Sequence, residues 1–108
     1  MTAQIQEYLD DAGRSPFEKW FTRLDGKAAN HVTIAIYRLG QGNNSISKSI
    51  GDGVHELRIH YGPGLRVYYG WDGQNLVILL GGGTKKTQST DIRQAKSLWV
   101  KYKRRKKL

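Results

Sequence analysis

The chain has 108 residues and no cysteine, so it is long enough for one domain with a modest core and has no disulfide framework or thiolate metal site. Its net charge is +9, and six of the positive charges lie in the last eight residues, so the rest of the chain carries only +3. A basic balance favours nucleic acid, a ribosome or an acidic protein as partner; the alternative is a solubilising tail on a neutral domain. No apolar run is long enough to span a bilayer and no secretory pattern is present, so we expect a cytoplasmic protein without a membrane partner.

The chain begins with a predicted edge strand in residues 4–9, followed by a turn and a helix. Ser15 can cap this helix, Pro16 suits its first position, and Glu18 completes a capping box. Its apolar face is formed by residues at helical spacing, namely Phe17, Trp20, Phe21 and Leu24. Asp25 and the glycine after it end the helix.

Residues 27–39 predict a second helix, which Gly40 can end. Its inner stripe consists of Ala28, Val32, Ala35 and Leu39. Residues 41–52 are polar and rich in glycine, asparagine and serine, so they predict a loop.

The middle of the chain organises the fold because it predicts three consecutive antiparallel strands. Apolar and polar residues alternate in residues 54–61 and again in residues 65–71, and residues 75–80 contain an apolar run. Gly62-Pro63-Gly64 and Asp72-Gly73 mark the two turns between these strands.

The strand registers follow from the predicted lengths of these two turns. A three-residue first turn places His60 opposite Arg66, and a two-residue second turn places Leu65 opposite Leu80. One face of the sheet is then an apolar core of Leu57, Ile59, Leu65, Val67, Tyr69, Trp71, Leu76, Ile78 and Leu80. The other face carries Glu56, Arg58, His60, Arg66 and Tyr68, with Val77 and Leu79 beside them.

Residues 81–83 are all glycine and predict a flexible exit from the third strand. The loop that follows should bring Lys85 and Lys86 close to His60 and Arg66. The sequence therefore predicts a positively charged concavity at one end of the sheet.

A closing helix is predicted after Ser89 or Thr90, either of which can cap it. Its inner face consists of Ile92, Ala95, Trp99 and Tyr102. Residues 103–108 should fray, which divides the chain into one domain, residues 1–102, and a basic C-terminal tail. The predicted fold class is α+β: a small antiparallel sheet with an N-terminal helical hairpin and a C-terminal helix.

The basic face suits the cleavage of RNA without a metal, in which the 2′-hydroxyl attacks its own adjacent phosphate. Arginine binds phosphate oxygens with two parallel donors, lysine adds a point charge, and histidine or tyrosine can stack on a base or relay a proton. The patch that combines these types consists of Arg58, His60, Arg66, Tyr68, Lys85 and Lys86. No metal-ligand spacing accompanies it, so we expect neither a metal nor a cofactor.

More ordinary roles stay open for several of these residues. Arg58 can instead pair with Glu56, His60 can be a surface histidine, and the two lysines can belong to a solvated loop. Arg66 lies among apolar residues in the middle of a strand, where an unpaired charge is costly, and this favours a function.

Two segments, GVHELRIHYGPGLRVYY and ILLGGGTKKTQSTDIRQAK, resemble the phage-derived killer-protein branch of the RelE/ParE toxin superfamily, which is HigB-like. The likeness covers nearly the whole chain. It implies the toxin of a type II toxin–antitoxin module, held inactive by a cognate antitoxin protein that is often a helix-turn-helix DNA binder. RelE-like members cut mRNA in the ribosomal A site, and ParE-like members act on DNA gyrase.

The resemblance therefore implies a ribosome-dependent mRNA endoribonuclease, whose partners are the ribosome and mRNA. A ParE-like gyrase inhibitor and a non-catalytic module that binds RNA or the ribosome are the alternatives. By position, Arg66 lies where RelE-like enzymes place the arginine that contacts the scissile phosphate. Arg58 lies where a strand lysine often occurs, and Lys85 or Lys86 falls at the basic position after the last strand.

Two positions depart from the best-studied ribonucleases of this superfamily. Glu56 occupies a place that is basic in them, and Ile92 stands about where they have a tyrosine. The expected catalytic residues are Arg66, Arg58, Lys86 and His60. The expected RNA-binding residues are Lys85, Tyr68, Gln88, Lys103, Arg104 and Arg105.

Overall fold

The computed structural model describes residues 2–107 and confirms an α+β fold with a sheet between helices. Within these residues the strands are β1 (Gln4–Glu7), β2 (Ser47–Ser49), β3 (Val54–Ile59), β4 (Leu65–Asp72) and β5 (Leu76–Thr84). The helices are α1 (Pro16–Phe21), α2 (Gly26–Gly40) and α3 (Gln88–Lys106), and a 3₁₀ turn (Lys85–Thr87) precedes α3. No helix of the described chain is both long and apolar enough to cross a membrane.

The strands form one sheet in the order β1-β5-β4-β3-β2. Neighbouring strands are antiparallel except for the outer strand β1, which pairs with β5 in parallel. The α1–α2 hairpin packs on one face of the sheet, and α3 packs on the other. Both faces are therefore buried, and this explains the apolar character of β5.

The helical hairpin forms as its sequence predicts. The Ser15 hydroxyl accepts a hydrogen bond from the Glu18 amide at 3.0 Å, and Pro16 opens α1. Asp25 ends the α1 region and also caps α2, because its carboxylate accepts the Ala28 amide at 2.9 Å. The predicted inner stripe of α2 is buried along its whole length.

The predicted register between β3 and β4 is wrong. Ile59 pairs with Leu65 and Arg58 pairs with Arg66, so residues 60–64 form a loop and His60 lies beyond the last pair. The Tyr61 ring, in this loop, stacks on His31 of α2 with ring centres 4.1 Å apart.

The predicted register between β4 and β5 is also wrong. Asp72 pairs with Leu76 across a longer turn, and an irregularity at Tyr68 and Tyr69 lets β5 continue until Thr84 faces Leu65. The longer turn shifts residues 76–79 by three positions relative to β4, and this odd shift exchanges their faces. Val77 and Leu79 join the core under the helical hairpin, whereas Ile78 and Leu80 pack with α3.

Two segments predicted as irregular belong to the sheet. Residues 47–49, inside the predicted loop, form the edge strand β2, and the Tyr69 hydroxyl donates to the Ser47 hydroxyl at 2.7 Å. Residues 81–83 are not a flexible exit but the second half of β5. A side chain at Gly82 would collide with the Trp20 ring, and one at Gly83 would collide with the Asp91 carboxylate.

The predicted fraying after Tyr102 is wrong as well, because α3 continues to Lys106. The Arg105 guanidinium donates to the Leu9 carbonyl at 2.7 Å and to the Tyr8 hydroxyl at 2.8 Å, and it lies over the Tyr8 ring. Lys106 pairs with Asp72 at 3.3 Å. Tertiary contacts thus hold the last turn of the helix against the segment after β1 and the end of β4.

Candidate functional site

A buried carboxylate forms the centre of the polar residues under the start of α3. Glu56 points from β3 and its side chain is 0% exposed. One oxygen accepts the Arg58 Nε–H at 2.7 Å, and the other accepts the Gln88 side-chain amide at 2.7 Å. The same second oxygen lies 3.9 Å from Arg66 Nε. We call Glu56, Arg58, Arg66, Tyr68 and Gln88 the arginine cluster.

The two arginines of this cluster face each other on neighbouring strands, since Arg58 of β3 pairs with Arg66 of β4. Side chains of directly opposed residues are close neighbours, and like charges there repel. The Arg66 side chain is only 8% exposed, whereas that of Arg58 is 36% exposed. The carboxylate of Glu56 compensates the charge of both.

Burial and hydrogen bonding act in opposite directions on Glu56. Burial by itself raises the pKa of a carboxyl group, but the hydrogen bonds from Arg58 and Gln88 outweigh it and hold the pKa of Glu56 below its usual value. Glu56 is therefore ionised at neutral pH. With two arginines and one carboxylate, the cluster keeps a net positive charge.

Two buried polar atoms of the cluster are not hydrogen-bonded within the described part of the chain, Arg66 Nε and the Tyr68 hydroxyl. Burial, and then the negative charge of Glu56, raises the pKa of Tyr68 far above the neutral range. The hydroxyl therefore stays protonated and can donate a hydrogen bond but cannot act as a base. Both donors lie close to the Glu56 carboxylate, Arg66 Nε at 3.9 Å and the Tyr68 hydroxyl near enough for that charge to raise its pKa.

The 3₁₀ turn places Lys85 beside this cluster. The predicted closeness of Lys85 to Arg66 is therefore correct. The Lys85 amide donates to the Gly64 carbonyl at 2.9 Å. A Cβ atom at Gly64 would lie 3.4 Å from Lys85 Cβ and 3.7 Å from Arg66 Nη1, so both residues adjoin the same point. Lys86 is exposed on the same turn, and His60 is exposed in the loop after β3. His60 does not face Arg66 across the strands.

The first turn of α3 is locked onto the end of β5. Thr87 hydrogen-bonds the Asp91 carboxylate, which lies directly over Gly83. Gly83 in turn pairs with Arg66. This contact holds α3 in position beside the arginine cluster, and from there Gln88 reaches Glu56.

The other basic candidates lie elsewhere. Lys103, Arg104 and Arg105 occupy the last turn of α3, about 25 Å along the helix from Gln88 at 1.5 Å per residue. Arg105 is engaged with the segment after β1, through Tyr8, Leu9 and an ion pair with Asp11 at 3.2 Å. The structure therefore does not bring these residues into the arginine cluster.

A groove of about 690 Å³ lies next to the cluster, between the α1 segment and α3. Tyr68, Gly81 and Gly82 line it from the sheet, and Asp91 and Leu98 line it from α3. Tyr68 and Asp91 thus connect the groove with the cluster. No group of three or more histidine, cysteine or acidic side chains is placed to hold a metal ion anywhere in residues 2–107.

Sequence reasoning did not assign a functional part to Glu56 or to the lock between Thr87 and Asp91. The spacing of Glu56 and Arg58 does place them on one face of a strand, and the alternative that they pair is correct. No pattern in the sequence predicts that Gln88 reaches Glu56, because that contact depends on where α3 docks.

Fold and site together define a small α+β protein with a buried, positively charged arginine cluster under its closing helix. Residues 19–99 match the family model described as phage derived protein Gp49-like (DUF891). An uncharacterized protein of Haemophilus influenzae is 43% identical over 99 residues, which cover 91% of this chain and 94% of that protein. The chain belongs to the phage-derived Gp49-like family.

Proposed function

We propose that this protein is a RelE/ParE-like toxin of a type II toxin–antitoxin module, and that it cleaves mRNA on the ribosome. The observation that carries the proposal is the pair of opposed arginines, Arg58 and Arg66, one of them nearly buried. Burying an arginine beside a like charge is unfavourable unless the site binds an anion or is compensated, and here the compensation leaves a net positive charge.

The reaction that fits this site is an internal transfer at phosphorus. The 2′-oxygen of one nucleotide attacks the adjacent phosphorus, the bond from phosphorus to the 5′-oxygen breaks, and a 2′,3′-cyclic phosphate and a 5′-hydroxyl result. A base takes the proton of the 2′-hydroxyl, and an acid gives one to the departing 5′-oxygen. No electrons are exchanged and no co-reactant is consumed.

In this proposal the arginines stabilise the negative charge that builds up on the phosphate oxygens. Lys85 adds positive charge beside Arg66, and the protonated Tyr68 hydroxyl is a further donor. Lys86, exposed on the 3₁₀ turn, and His60, exposed in the loop after β3, are the candidates for moving the two protons. Gln88 does not touch the RNA in this proposal and acts through its hydrogen bond to Glu56.

A cognate antitoxin is the proposed protein partner. The net charge of +9 and the exposed lysines of the 3₁₀ turn require a complementary acidic surface for neutralisation. The same positive charge attracts the phosphates of mRNA and of the ribosome, which supports the proposed ribosome dependence. In this account the protein acts in the cytoplasm, where its substrate is translated.

Mapping of RNA 5′ ends in cells that express the protein tests this function. We expect new ends inside translated reading frames, and these ends should carry a 5′-hydroxyl, so that an adaptor ligates only after treatment with a polynucleotide kinase. A copy of the same message without its start codon is the control, and it should stay intact. Broken DNA with intact mRNA would instead indicate gyrase as the target, and uncut mRNA with arrested ribosomes would indicate a non-catalytic module.

A further inference from the structure

Both arginines of the cluster turn the Nε edge of the side chain toward Glu56. The Arg58 Nε–H donates to Glu56 at 2.7 Å, whereas Arg66 Nε lies 3.9 Å from the carboxylate in an ion pair without a hydrogen bond. Within residues 2–107 the terminal nitrogens of Arg58 make no hydrogen bond, and those of Arg66 make only a long one, from Nη1 to the Leu65 carbonyl at 3.5 Å. The ends of both guanidinium groups are thus left available as donors.

A phosphate binds arginine best through two parallel donors. A carboxylate that engaged the terminal nitrogens of Arg58 or Arg66 would compete with it directly. Glu56 contacts the Nε side instead, so it can stay in place while an anion binds at the other end. Its complete burial and the hydrogen bond from Gln88 fix the position of the carboxylate itself.

We propose that Glu56 is a positioning residue of the anion site, which aligns Arg58 and Arg66 for one phosphate and lowers the affinity of the empty site for anions. This inference rests on the proposed cleavage of RNA for its effect on rate. Its effect on anion binding does not depend on cleavage. Glu56 touches neither the substrate nor the reacting atoms in this account.

The variant Glu56→Gln tests whether Glu56 aligns the two arginines for a phosphate or only stabilises the fold. An amide offers one acceptor oxygen, whereas Glu56 accepts hydrogen bonds from Arg58 and Gln88 through two different oxygens. One of these donors therefore loses its acceptor, and the position of the two arginines relative to each other is no longer fixed. The variant also makes the cluster more positive by one charge. We therefore expect tighter binding of RNA in the ground state together with slower cleavage, since a small misalignment lowers the rate about 10- to 100-fold.

The experiment measures two quantities on the purified full-length protein. Binding is measured by fluorescence anisotropy with an RNA oligonucleotide whose 2′-oxygens are methylated, because this RNA cannot be cleaved. Cleavage is measured in a reconstituted translation reaction. The charge control is Glu7→Gln, which makes the same change on exposed β1. It should leave the cleavage rate unchanged and tighten binding much less.

A second variant, Gln88→Leu, removes a hydrogen bond to Glu56 without changing any charge. It should slow cleavage less than Glu56→Gln does and should not tighten binding. If Glu56→Gln does not fold, the test rests on Gln88→Leu. A wild-type cleavage rate in Gln88→Leu would then contradict the proposal.

The remaining outcomes are distinguishable. If Glu56→Gln weakens binding and cleavage in parallel at a temperature where the variant is folded, Glu56 is only a structural ion-pair partner and the proposal is wrong. If the wild-type protein does not cleave RNA but Glu56→Gln still binds it more tightly than Glu7→Gln does, the proposed function fails while the anion site and its counter-ion stand.

Discussion

At the scale of single residues, the arginine cluster shows how two like charges are accommodated under a helix. Arg58 and Arg66 oppose each other, and the buried carboxylate of Glu56 lies within 4 Å of both Nε atoms. Removing one member of a buried ionic group leaves the others uncompensated, and this is costly. Glu56 should therefore be important for stability as well as for alignment.

The stability contributed by Glu56 should depend on pH. Its pKa is lowered in the folded protein, so its contribution is fully present above the ordinary value of 4.5 and is lost as the pH falls through the folded value. Urea unfolding from pH 7 to about pH 3 should show wild type more stable than Glu56→Gln at neutral pH, with the difference shrinking below about pH 4.5. A difference that is constant over this range would mean that Glu56 does not titrate with unfolding.

The hydroxyl of Tyr68 gives a second prediction. It is buried and has no hydrogen-bond partner in the described residues, so it destabilises the fold unless a ligand satisfies it. Tyr68→Phe should raise the free energy of unfolding by about 1 kcal/mol in denaturant titrations while it slows RNA cleavage. If Tyr68→Phe instead lowers the free energy of unfolding by about the same amount, the hydroxyl is hydrogen-bonded within the free protein.

At the scale of elements, the glycines of β5 decide how helices approach the sheet. Gly82 admits the Trp20 ring of the α1 segment, and Gly83 admits Asp91 of α3. Gly81 faces open space, with no atom within 4 Å of where its Cβ would lie. The three glycines thus differ in function although they are adjacent and identical in sequence.

A comparison of two alanine variants tests this difference. Gly82→Ala must displace a packed indole ring, so it should lower the free energy of unfolding by about 1–3 kcal/mol, as overpacking does. Gly81→Ala is the matched control and should be neutral within about 0.5 kcal/mol. Chemical denaturation of both variants gives the values. Equal stability of the two would contradict the proposed role of the Trp20 contact.

The elements also show what the sequence can and cannot predict. Alternation and caps predict α1, α2 and the central strands correctly, because those signals are local. The faces of residues 76–79 in β5 are predicted wrongly, because they depend on the length of the turn after Asp72, which is one residue longer than the Asp72-Gly73 signal predicts. The β3–β4 register likewise depends on the loop of residues 60–64, which is longer than the predicted three-residue turn.

At the scale of the whole molecule, the predicted fold class is confirmed, and the closeness of Lys85 to Arg66 is correct in spite of the wrong register. The prediction holds because β5 runs past Leu80 and still ends beside β4. The contacts around Glu56 could not be predicted, since they join β3, β4 and α3, which are distant in sequence. The docking of Arg105 against Tyr8 is missed for the same reason.

The distribution of charge predicts two separate effects at the C-terminus. Lys103 and Arg104 are exposed on the last turn of α3, and Lys107 is exposed directly after it. Changing all three to glutamine should weaken binding to single-stranded RNA at low salt and reduce the slope of log affinity against log salt by about 2. The melting temperature and the cleavage positions should not change. Arg105→Gln should instead lower the melting temperature, because it removes the contacts with Tyr8 and Leu9. A lower melting temperature for the triple variant, or altered cleavage positions, would show that these three residues do more than attract phosphate.

The most direct test of the account is the rate at which Arg66 variants cleave one mRNA in a reconstituted translation reaction. Arg66→Lys keeps the charge beside Glu56 but loses the paired donors, so we expect its cleavage rate to fall at least about tenfold. Arg66→Ala loses both the charge and the donors, so we expect its cleavage rate to fall about 100-fold or more. Arg38→Ala, on the exposed side of α2, should cleave at the wild-type rate. Thermal unfolding shows which variants are folded. A folded Arg66→Lys or Arg66→Ala protein that cleaves as fast as wild type would contradict the claim that the arginine cluster is the site of RNA cleavage.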